Sequence, residues 1–186
     1  MLFNKNICYL FTLIIIFFFH LSFLSAFTVD KSNSYLGFKI HQFGLGTVNG
    51  EFKEYTIEAQ FEDSKIISLN ATLDISSLKT GNKTRDRHLQ SKQFFYTAKH
   101  PYITFQLTHP LDFGIDSLMK GRLSIRGKHI DVDIPVIFTD ISSDDTPIFE
   151  AQINEFTLDR TFYGLTTYKK LINHLVDTNI RIRFIK

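Results

Sequence analysis

The fold of this chain is decided by the stretch Ile130-Asp131-Val132-Asp133-Ile134-Pro135-Val136-Ile137-Phe138. Apolar side chains occupy every second position, and a period of two places them on one face of a β-strand. Pro135 falls on the opposite face and has no N–H group to donate to a neighbouring strand, which favours an edge or a bulge there. The stretch therefore predicts a strand with one dry face and one face in water.

The same alternation recurs eight times between Leu36 and the C-terminus. Such spacing is typical of antiparallel strands joined by short turns. In the row that begins at Phe149 the phase shifts by one residue, which predicts a bulge near Asn154-Glu155. The eight apolar rows are Leu36, Phe38, Ile40; Tyr55, Ile57, Ala59, Phe61; Ile67, Leu69, Ala71, Leu73, Ile75; Ile103, Phe105, Leu107; Leu123, Ile125; Ile130, Val132, Ile134, Val136, Phe138; Phe149, Ala151, Ile153, Phe156, Leu158; and Ile180, Ile182, Phe184.

The outer faces of these strands are polar, whereas an outer-membrane barrel would present an apolar face to lipid. The pattern predicts an all-β protein, an eight-stranded antiparallel barrel or a strongly curled sandwich. Closure into a barrel also removes exposed strand edges. An interior of about eight strands is either filled by side chains or wide enough for one ligand. The pattern leaves both alternatives open.

One segment, Thr80–Tyr96, has no period of two. Leu89, Phe94 and Phe95 are placed to hold a short helix against the mouth of a barrel. The polar side of this segment carries Arg85, Asp86, Arg87, His88 and Lys92.

The first 26 residues form an apolar leader. Lys5 is followed by an uncharged run from Ile7 to Ala26, the pattern of a secretory signal peptide. The run is also long enough to cross a bilayer if it is not cleaved. A cleaved signal and an uncleaved anchor in the inner membrane both predict that residues 27–186 fold outside the cytoplasm.

Composition excludes several classes of protein. The chain has 21 Lys and Arg against 19 Asp and Glu, with both signs interspersed and no basic stripe for nucleic acid. Its one cysteine, Cys8, lies in the leader, so the exported part has no disulfide. The seven histidines show no metal-binding spacing such as H-E-x-x-H, so no metal is predicted.

Catalytic signatures are also missing from the sequence. It has no G-x-S-x-G elbow, no P-loop and no dinucleotide fingerprint. A catalytic triad is defined by geometry rather than by spacing, so a small enzyme that uses the barrel mouth stays open as an alternative. A second alternative is a ligand-free structural or stress-related interaction module with a solid barrel.

Five blocks of sequence follow one another along residues 27–186. They are Phe27-Thr28-Val29-Asp30 with Phe38-Lys39-Ile40-His41; Val48-Asn49-Gly50-Glu51-Phe52; Thr80-Gly81-Asn82 with Arg85-Asp86-Arg87-His88-Leu89, Phe94-Phe95 and Pro101-Tyr102-Ile103-Thr104-Phe105; Gly121-Arg122-Leu123-Ser124-Ile125-Arg126-Gly127; and Asp159-Arg160-Thr161-Phe162-Tyr163-Gly164. In this order the blocks resemble the YceI-like family of exported, lipocalin-like barrels. The late block contains one residue more than the family's R-x-x-F-G segment, and Asn33 stands where the family often has histidine.

The resemblance implies one lipid-binding domain over residues 27–186 in the periplasm. It implies a non-enzymatic carrier of a polyprenyl lipid or a quinone, with no further cofactor. Expected partners are that lipid and, transiently, a membrane surface or a membrane redox or lipid-handling protein. A homodimer through a barrel edge is an open alternative, and no nucleic acid is expected.

The predicted binding residues are the large apolar side chains of the inner rows and one arginine. Arg85 is a candidate for the lipid head group, since guanidinium pairs well with phosphate; pinning the helical segment to the barrel is its alternative role. The predicted set is Phe38, Ile40, Phe52, Leu73, Arg85, Phe94, Phe95, Phe105, Leu123, Ile125, Phe138, Phe156 and Phe162.

Overall fold

The computed structural model describes residues 27–44, 46–114, 117–143 and 146–186. The predicted signal peptide, residues 1–26, lies outside the described residues. Two 3-10 turns, Lys31–Asn33 and Ile75–Ser77, interrupt the strands. The described elements are β1 (Thr28–Val29), β2 (Tyr35–Gln42), β3 (Gly46–Phe52), β4 (Tyr55–Glu62), β5 (Lys65–Asp74), β6 (Leu78–Lys79), α1 (Lys83–Leu89), β7 (Tyr102–Leu107), β8 (Leu111–Asp112), β9 (Ser117–Ile125), β10 (Lys128–Asp140), β11 (Ile148–Ile153), β12 (Thr157–Asp159) and β13 (Ile172–Ile185).

The strands form one curled antiparallel sheet in the order β4-β5-β7-β9-β10-β11-β13-β2-β3-β6. The short strands β1 and β12 add to β13, and β8 adds to β5. The prediction of an all-β, lipocalin-like barrel is confirmed. The described residues contain 13 strands rather than eight. The difference arises because β3 and three two-residue strands lack a long apolar alternation, and because the row from Phe149 is split into β11 and β12.

The bulge predicted near Asn154-Glu155 is confirmed by the register against β13. Ile153 lies opposite Ile180, and Thr157 lies opposite Asp177. The three residues 154–156 thus face the two residues 178–179 of β13. One extra residue on one side of a strand pair is the mark of a bulge. The shift carries Phe156 and Leu158 to the inner face.

A second bulge corrects the inner row of β5. Gln60 lies opposite Ser68 and Phe61 opposite Ile66, so Ile67 is the extra residue. Ile67 is 37% exposed and Ile66 is 1% exposed, the reverse of the prediction. A run of two isoleucines hides such a shift, because either one satisfies the alternation.

Pro135 lies where the pairing of β10 changes. It faces Leu118 of β9, while pairing with β11 begins two residues later, at Ile137. The missing N–H group therefore falls outside the ladder with β11, as the sequence predicted.

A tight turn joins β9 and β10 into a hairpin. Ile125 of β9 and Lys128 of β10 are paired across a two-residue turn. Both turn residues, Arg126 and Gly127, have positive φ, 51° and 74°. This is the type I′ geometry that matches the twist of a hairpin.

Among the described residues, no helix is long and apolar enough to cross a membrane. The helix α1 has seven residues and begins at the cap Asn82, whose side chain accepts hydrogen bonds from the N–H groups of Thr84 and Arg85 at 3.0 Å each. This cap satisfies two N–H groups that would otherwise lack a partner. The short helix predicted within Thr80–Tyr96 is thereby confirmed.

We expect Gly121→Ala to lower the free energy of unfolding by about 1–3 kcal/mol, the usual cost of overpacking a core. A Cβ at Gly121 would lie 2.1 Å from the ring of Phe105 and 2.6 Å from the backbone oxygen of Gln106. Urea unfolding followed by circular dichroism measures the change. Gly114→Ala is the matched control, because among the described residues its Cβ would meet only Ser117 Oγ at 3.4 Å. Equal stability of both variants would contradict the prediction.

A partly buried ion pair joins β11 to β13. Arg183 Nη2 lies 2.9 Å from Glu150 Oε2, and Gln152 Nε2 donates to Glu150 Oε1 at 2.7 Å. Burial raises the pKa of Glu150, but the hydrogen bonds from Gln152 and Arg183 outweigh it and hold the pKa below its ordinary value. The ionised form is therefore favoured in the folded state.

Because the folded pKa of Glu150 is depressed, its contribution to stability is present above the unfolded pKa and is lost as pH falls through the folded pKa. We expect Glu150→Gln to lower the free energy of unfolding at neutral pH by about 1–2 kcal/mol and to cause little change in strong acid. Unfolding curves across the acid range test this expectation. A loss for Glu150→Gln that is independent of pH would contradict it.

Candidate ligand-binding site

The interior of the barrel is hollow. A cavity of about 620 Å³ is lined by side chains from strands all around the sheet and from α1. This volume lies within the ~300–1,000 Å³ typical of sites that enclose a small ligand. Of the two alternatives that the sequence left open, the structure shows the hollow barrel.

Twelve of the thirteen predicted binding residues line this cavity. Their role in binding stays a prediction, but the inner rows have brought them to one surface. The twelve are Phe38, Ile40, Phe52, Leu73, Arg85, Phe94, Phe95, Phe105, Leu123, Ile125, Phe138 and Phe156.

Phe162 does not line the cavity, and its side chain is 68% exposed. The alternation that began in β11 ends with β12 at Asp159, and a turn follows. In that turn the buried positions go to Arg160 and Tyr163, which are 4% and 1% exposed. A residue in the turn cannot be assigned to a face by a period of two, which is why the placement of Phe162 on the inner face was wrong, while its role in binding stays untested.

One end of the cavity is closed by a cluster of rings, here named the phenylalanine plug, which comprises Phe27, Phe61, Phe113, Phe138, Phe149 and Phe184. Phe113 stacks on Phe138 with ring centroids 4.3 Å apart, and Phe61 meets Phe184 at 5.3 Å. Phe138 and Phe184 also line the cavity, while the other four lie behind them. The plug therefore forms the floor of the cavity.

The other end, here named the mouth, is framed by α1 and by the segment 160–172. The polar residues of the cavity wall concentrate here. His88 of α1 meets Phe94 edge-on at 5.0 Å and Tyr168 at 6.0 Å. Across the mouth, Arg126 donates to the carbonyl of Gly164 at 2.8 Å. The frame is thus held by contacts between segments distant in sequence. The polar lining residues include Gln42, Thr80, Asn82, Thr84, Arg85, His88, Arg160 and Tyr168.

Arg85 is half-buried at the mouth and is held by Thr80. Its Nε donates to Thr80 Oγ1 at 2.7 Å and its Nη2 donates to the carbonyl of Thr80 at 2.6 Å. Thr80 in turn donates to the buried carboxylate of Asp86, from N at 2.9 Å and from Oγ1 at 2.6 Å. Arg85 and Asp86 therefore fix the helix through Thr80. Nη1 of Arg85 is not used in these two hydrogen bonds to Thr80. Binding of a lipid head group by Arg85 therefore stays a prediction.

Arg160 is a residue of the mouth that the apolar alternation did not predict. Its Nε donates to the carbonyl of Asn173 at 2.8 Å, Nη2 donates to Thr167 and Ile172 at 3.2 and 3.1 Å, and Nη1 donates to Leu165. Burial lowers the pKa of its guanidinium, and the charge of Asp159 opposes this effect. One buried side chain thus organises the whole segment 160–172. The only signal for it was the arginine of the late family block.

The described residues contain a close serine–histidine contact. Ser124 Oγ lies 2.7 Å from His129 Nδ1, but this pair spans β9 and β10 outside the cavity wall. In the described part of the chain, no group of three or more His, Cys, Asp or Glu residues is placed to hold a metal ion.

An apolar cavity with a polar mouth is suited to holding a long apolar ligand with a polar head.

Comparison with known proteins places the chain among others of this shape. The model of the YceI-like domain matches residues 27–185. A UPF0312 protein of Staphylococcus epidermidis is 30% identical over 148 residues, which is 76% of this chain and 83% of that protein.

Two solved structures show the same fold. The YceI protein of Campylobacter jejuni has a TM-score of 0.69 at 25% sequence identity. The match covers 86% of this chain and 96% of the Campylobacter jejuni chain. A polyisoprenoid binding domain from Saccharophagus degradans, implicated in plant cell wall breakdown, has a TM-score of 0.67 at 16% sequence identity. The match covers 86% of this chain and 97% of that domain.

Proposed function

The chain belongs to the YceI-like family, and from this premise we propose that it is a non-enzymatic binding protein whose cavity encloses the hydrocarbon chain of an isoprenoid lipid. The ligand class is a polyprenyl lipid or a quinone. The observation that carries the proposal is the blind apolar cavity with its polar groups gathered at the mouth. The polyisoprenoid binding of the Saccharophagus degradans domain adds support from a protein of the same fold.

The shape of the cavity favours one orientation of such a lipid. The phenylalanine plug closes the far end with apolar rings, so the hydrocarbon tail lies there. Arg85, His88 and Asn82 stand at the mouth, where a phosphate or quinone head keeps its hydrogen bonds. Burying a polar head at the plug would leave it without partners, at a cost of roughly 2–7 kcal/mol.

A carrier or buffer fits the energetics better than permanent sequestration. Burial stabilises each CH₂ group by about 0.8 kcal/mol relative to water. The lipid otherwise resides in a membrane, which is as apolar as the cavity, so the net preference for the protein is small. Exchange between protein and membrane follows from this balance. The apolar leader, residues 1–26, supports the periplasm as the place of exchange.

An exchange assay tests the proposal. Protein freed of lipid is mixed with vesicles that contain a labelled polyprenyl phosphate, and the label on the protein is counted after the vesicles are removed. Uptake approaching one lipid per protein is expected, and a labelled phospholipid in the same vesicles serves as the control. Absence of isoprenoid uptake, or equal uptake of the phospholipid, would overturn the proposal.

A further inference from the structure

Exposed apolar side chains surround the mouth. Phe43, Tyr168 and Leu171 are 58%, 47% and 52% exposed; these three are named the mouth rim. The N–H of Phe43 donates to the carbonyl of Leu171 at 2.9 Å, and the N–H of Leu171 donates to the carbonyl of Tyr168 at 2.8 Å. The three residues therefore lie beside one another on two backbone segments that are joined by hydrogen bonds.

The mouth rim is continuous with the cavity wall. Tyr168 and Leu171 line the cavity while about half of each side chain faces solvent. A hydrocarbon chain that leaves the cavity over these two residues stays on apolar surface until it reaches the outside. Exposed apolar side chains grouped around an opening mark a surface for a partner rather than ordinary exposure.

The charged side chains around the mouth rim indicate the chemistry of its partner. Around the rim, α1, the loop after it and the segment 160–172 carry six exposed cations. Two carboxylates lie in or next to these segments: Asp86 is buried against Thr80, and Asp159 is half-buried and accepts a hydrogen bond from Thr161 at 2.6 Å. None of the six cations forms an ion pair with a described residue. The six are Lys83, Arg87, Lys92, Lys99, Lys169 and Lys170.

The opposite end of the barrel has the reverse charge. The turns beside the phenylalanine plug carry four exposed carboxylates, Glu62, Asp63, Asp112 and Asp140, against two exposed lysines, Lys65 and Lys186, of which Lys65 pairs with Asp112 at 3.0 Å. Among the described residues, the near-neutral sequence thus folds with a basic mouth and a small excess of negative charge at the plug end. Such a separation orients the molecule toward a negatively charged surface.

We propose that the mouth docks onto an anionic lipid bilayer, with Phe43, Tyr168 and Leu171 entering the interface and Lys169 and Lys170 meeting the lipid head groups. The purpose of this contact, transfer of the ligand, rests on the proposed function, but the contact itself needs no isoprenoid. Apolar side chains flanked by lysines are the pattern of interfacial membrane binding, which combines apolar burial with attraction to anionic lipids. The open mouth is then sealed by the membrane from which it takes its ligand.

Tryptophan fluorescence tests the docking, since the chain contains no tryptophan. A Phe43→Trp protein is mixed with vesicles of phosphatidylglycerol and phosphatidylcholine that hold no isoprenoid. The emission is expected to shift to shorter wavelength and to be quenched by brominated lipid. Ile141→Trp is the matched control, because Ile141 is 40% exposed beside the plug, and its emission is expected to stay unchanged.

Charge reversal tests the cationic part. Lys169→Glu with Lys170→Glu is expected to weaken binding to these vesicles by about tenfold or more, since each basic residue near an anionic surface contributes on the order of 1 kcal/mol. Lys39→Glu with Lys186→Glu changes the net charge equally and is expected to cause little loss, because Lys39 lies on the barrel wall and Lys186 at the plug end. Equal loss in both pairs would show mere net-charge attraction and overturn the proposal.

Failure of docking and failure of the proposed function are distinguishable. A protein that takes up isoprenoid from detergent micelles but shows no shift with vesicles would refute docking and leave the binding function intact, and a protein partner at the mouth would then be sought. A shift with vesicles in a protein that takes up no isoprenoid would refute the function and keep the docking. A shift of equal size for Ile141→Trp would refute the orientation.

Discussion

Arg160→Ala is expected to lower the free energy of unfolding by about 3–5 kcal/mol. Each hydrogen bond from a charged donor contributes ~1.5–3 kcal/mol. In this variant four backbone carbonyls lose their donor together, those of Leu165, Thr167, Ile172 and Asn173. The loss stays below the sum of four separate bonds because the segment 160–172 loosens and water reaches the carbonyls. Urea unfolding followed by circular dichroism measures it.

Lysine is not expected to rescue this site. Its one ammonium group cannot reach acceptors that the planar fork of Arg160 meets with three nitrogens. Tyr163→Phe is the control in the same turn. Burial raises the pKa of Tyr163 to about 12, and its hydroxyl has no hydrogen-bond partner among the described residues, so its removal should not lower stability. A loss below about 1 kcal/mol for Arg160→Ala, the value of one ordinary hydrogen bond, would contradict this account.

Filling the cavity is expected to abolish ligand binding while the fold is kept. Ala71 on β5 and Ala151 on β11 both line the cavity, and tryptophan at both positions introduces two of the largest side chains into its free space. We expect a loss of isoprenoid affinity of about 100-fold or more, since ~0.8 kcal/mol is forfeited for each CH₂ group that the blocked cavity can no longer bury.

The thermal midpoint of the filled variant is expected to stay equal or to rise, because the new rings occupy free volume. Ala98→Trp is the matched control, since Ala98 is exposed in a turn outside the cavity wall. Unchanged isoprenoid uptake by a folded double variant would show that the ligand binds elsewhere.

Alternation was enough to predict the sheet and most of the cavity wall. In β10 the row Ile134, Val136 and Phe138 is buried as predicted, because a strand with one wet face leaves each residue only two places to point. The same rule failed at Ile67, where either of two adjacent isoleucines could satisfy it. It failed again at Phe162, where the strand had already ended.

Arg160 and the phenylalanine plug show what a linear pattern cannot contain. The acceptors of Arg160 lie five to thirteen residues away in sequence, and their carbonyls converge only once the segment 160–172 has folded. Likewise Phe61 and Phe184 meet at one end of the barrel through its curvature, not through any spacing along the chain. These features give the cavity its floor and its mouth, and therefore its direction.

The central claim is that the cavity holds one isoprenoid chain, and mass spectrometry of the protein purified without detergent tests it most directly. The native spectrum is recorded first, and an organic extract of the same sample is then analysed. We predict one polyprenyl or quinone molecule per protein, lost from the Ala71→Trp, Ala151→Trp double variant and kept in Ala98→Trp. A native protein that carries no isoprenoid and acquires none from membranes, or an equal load on the filled variant, would contradict the account.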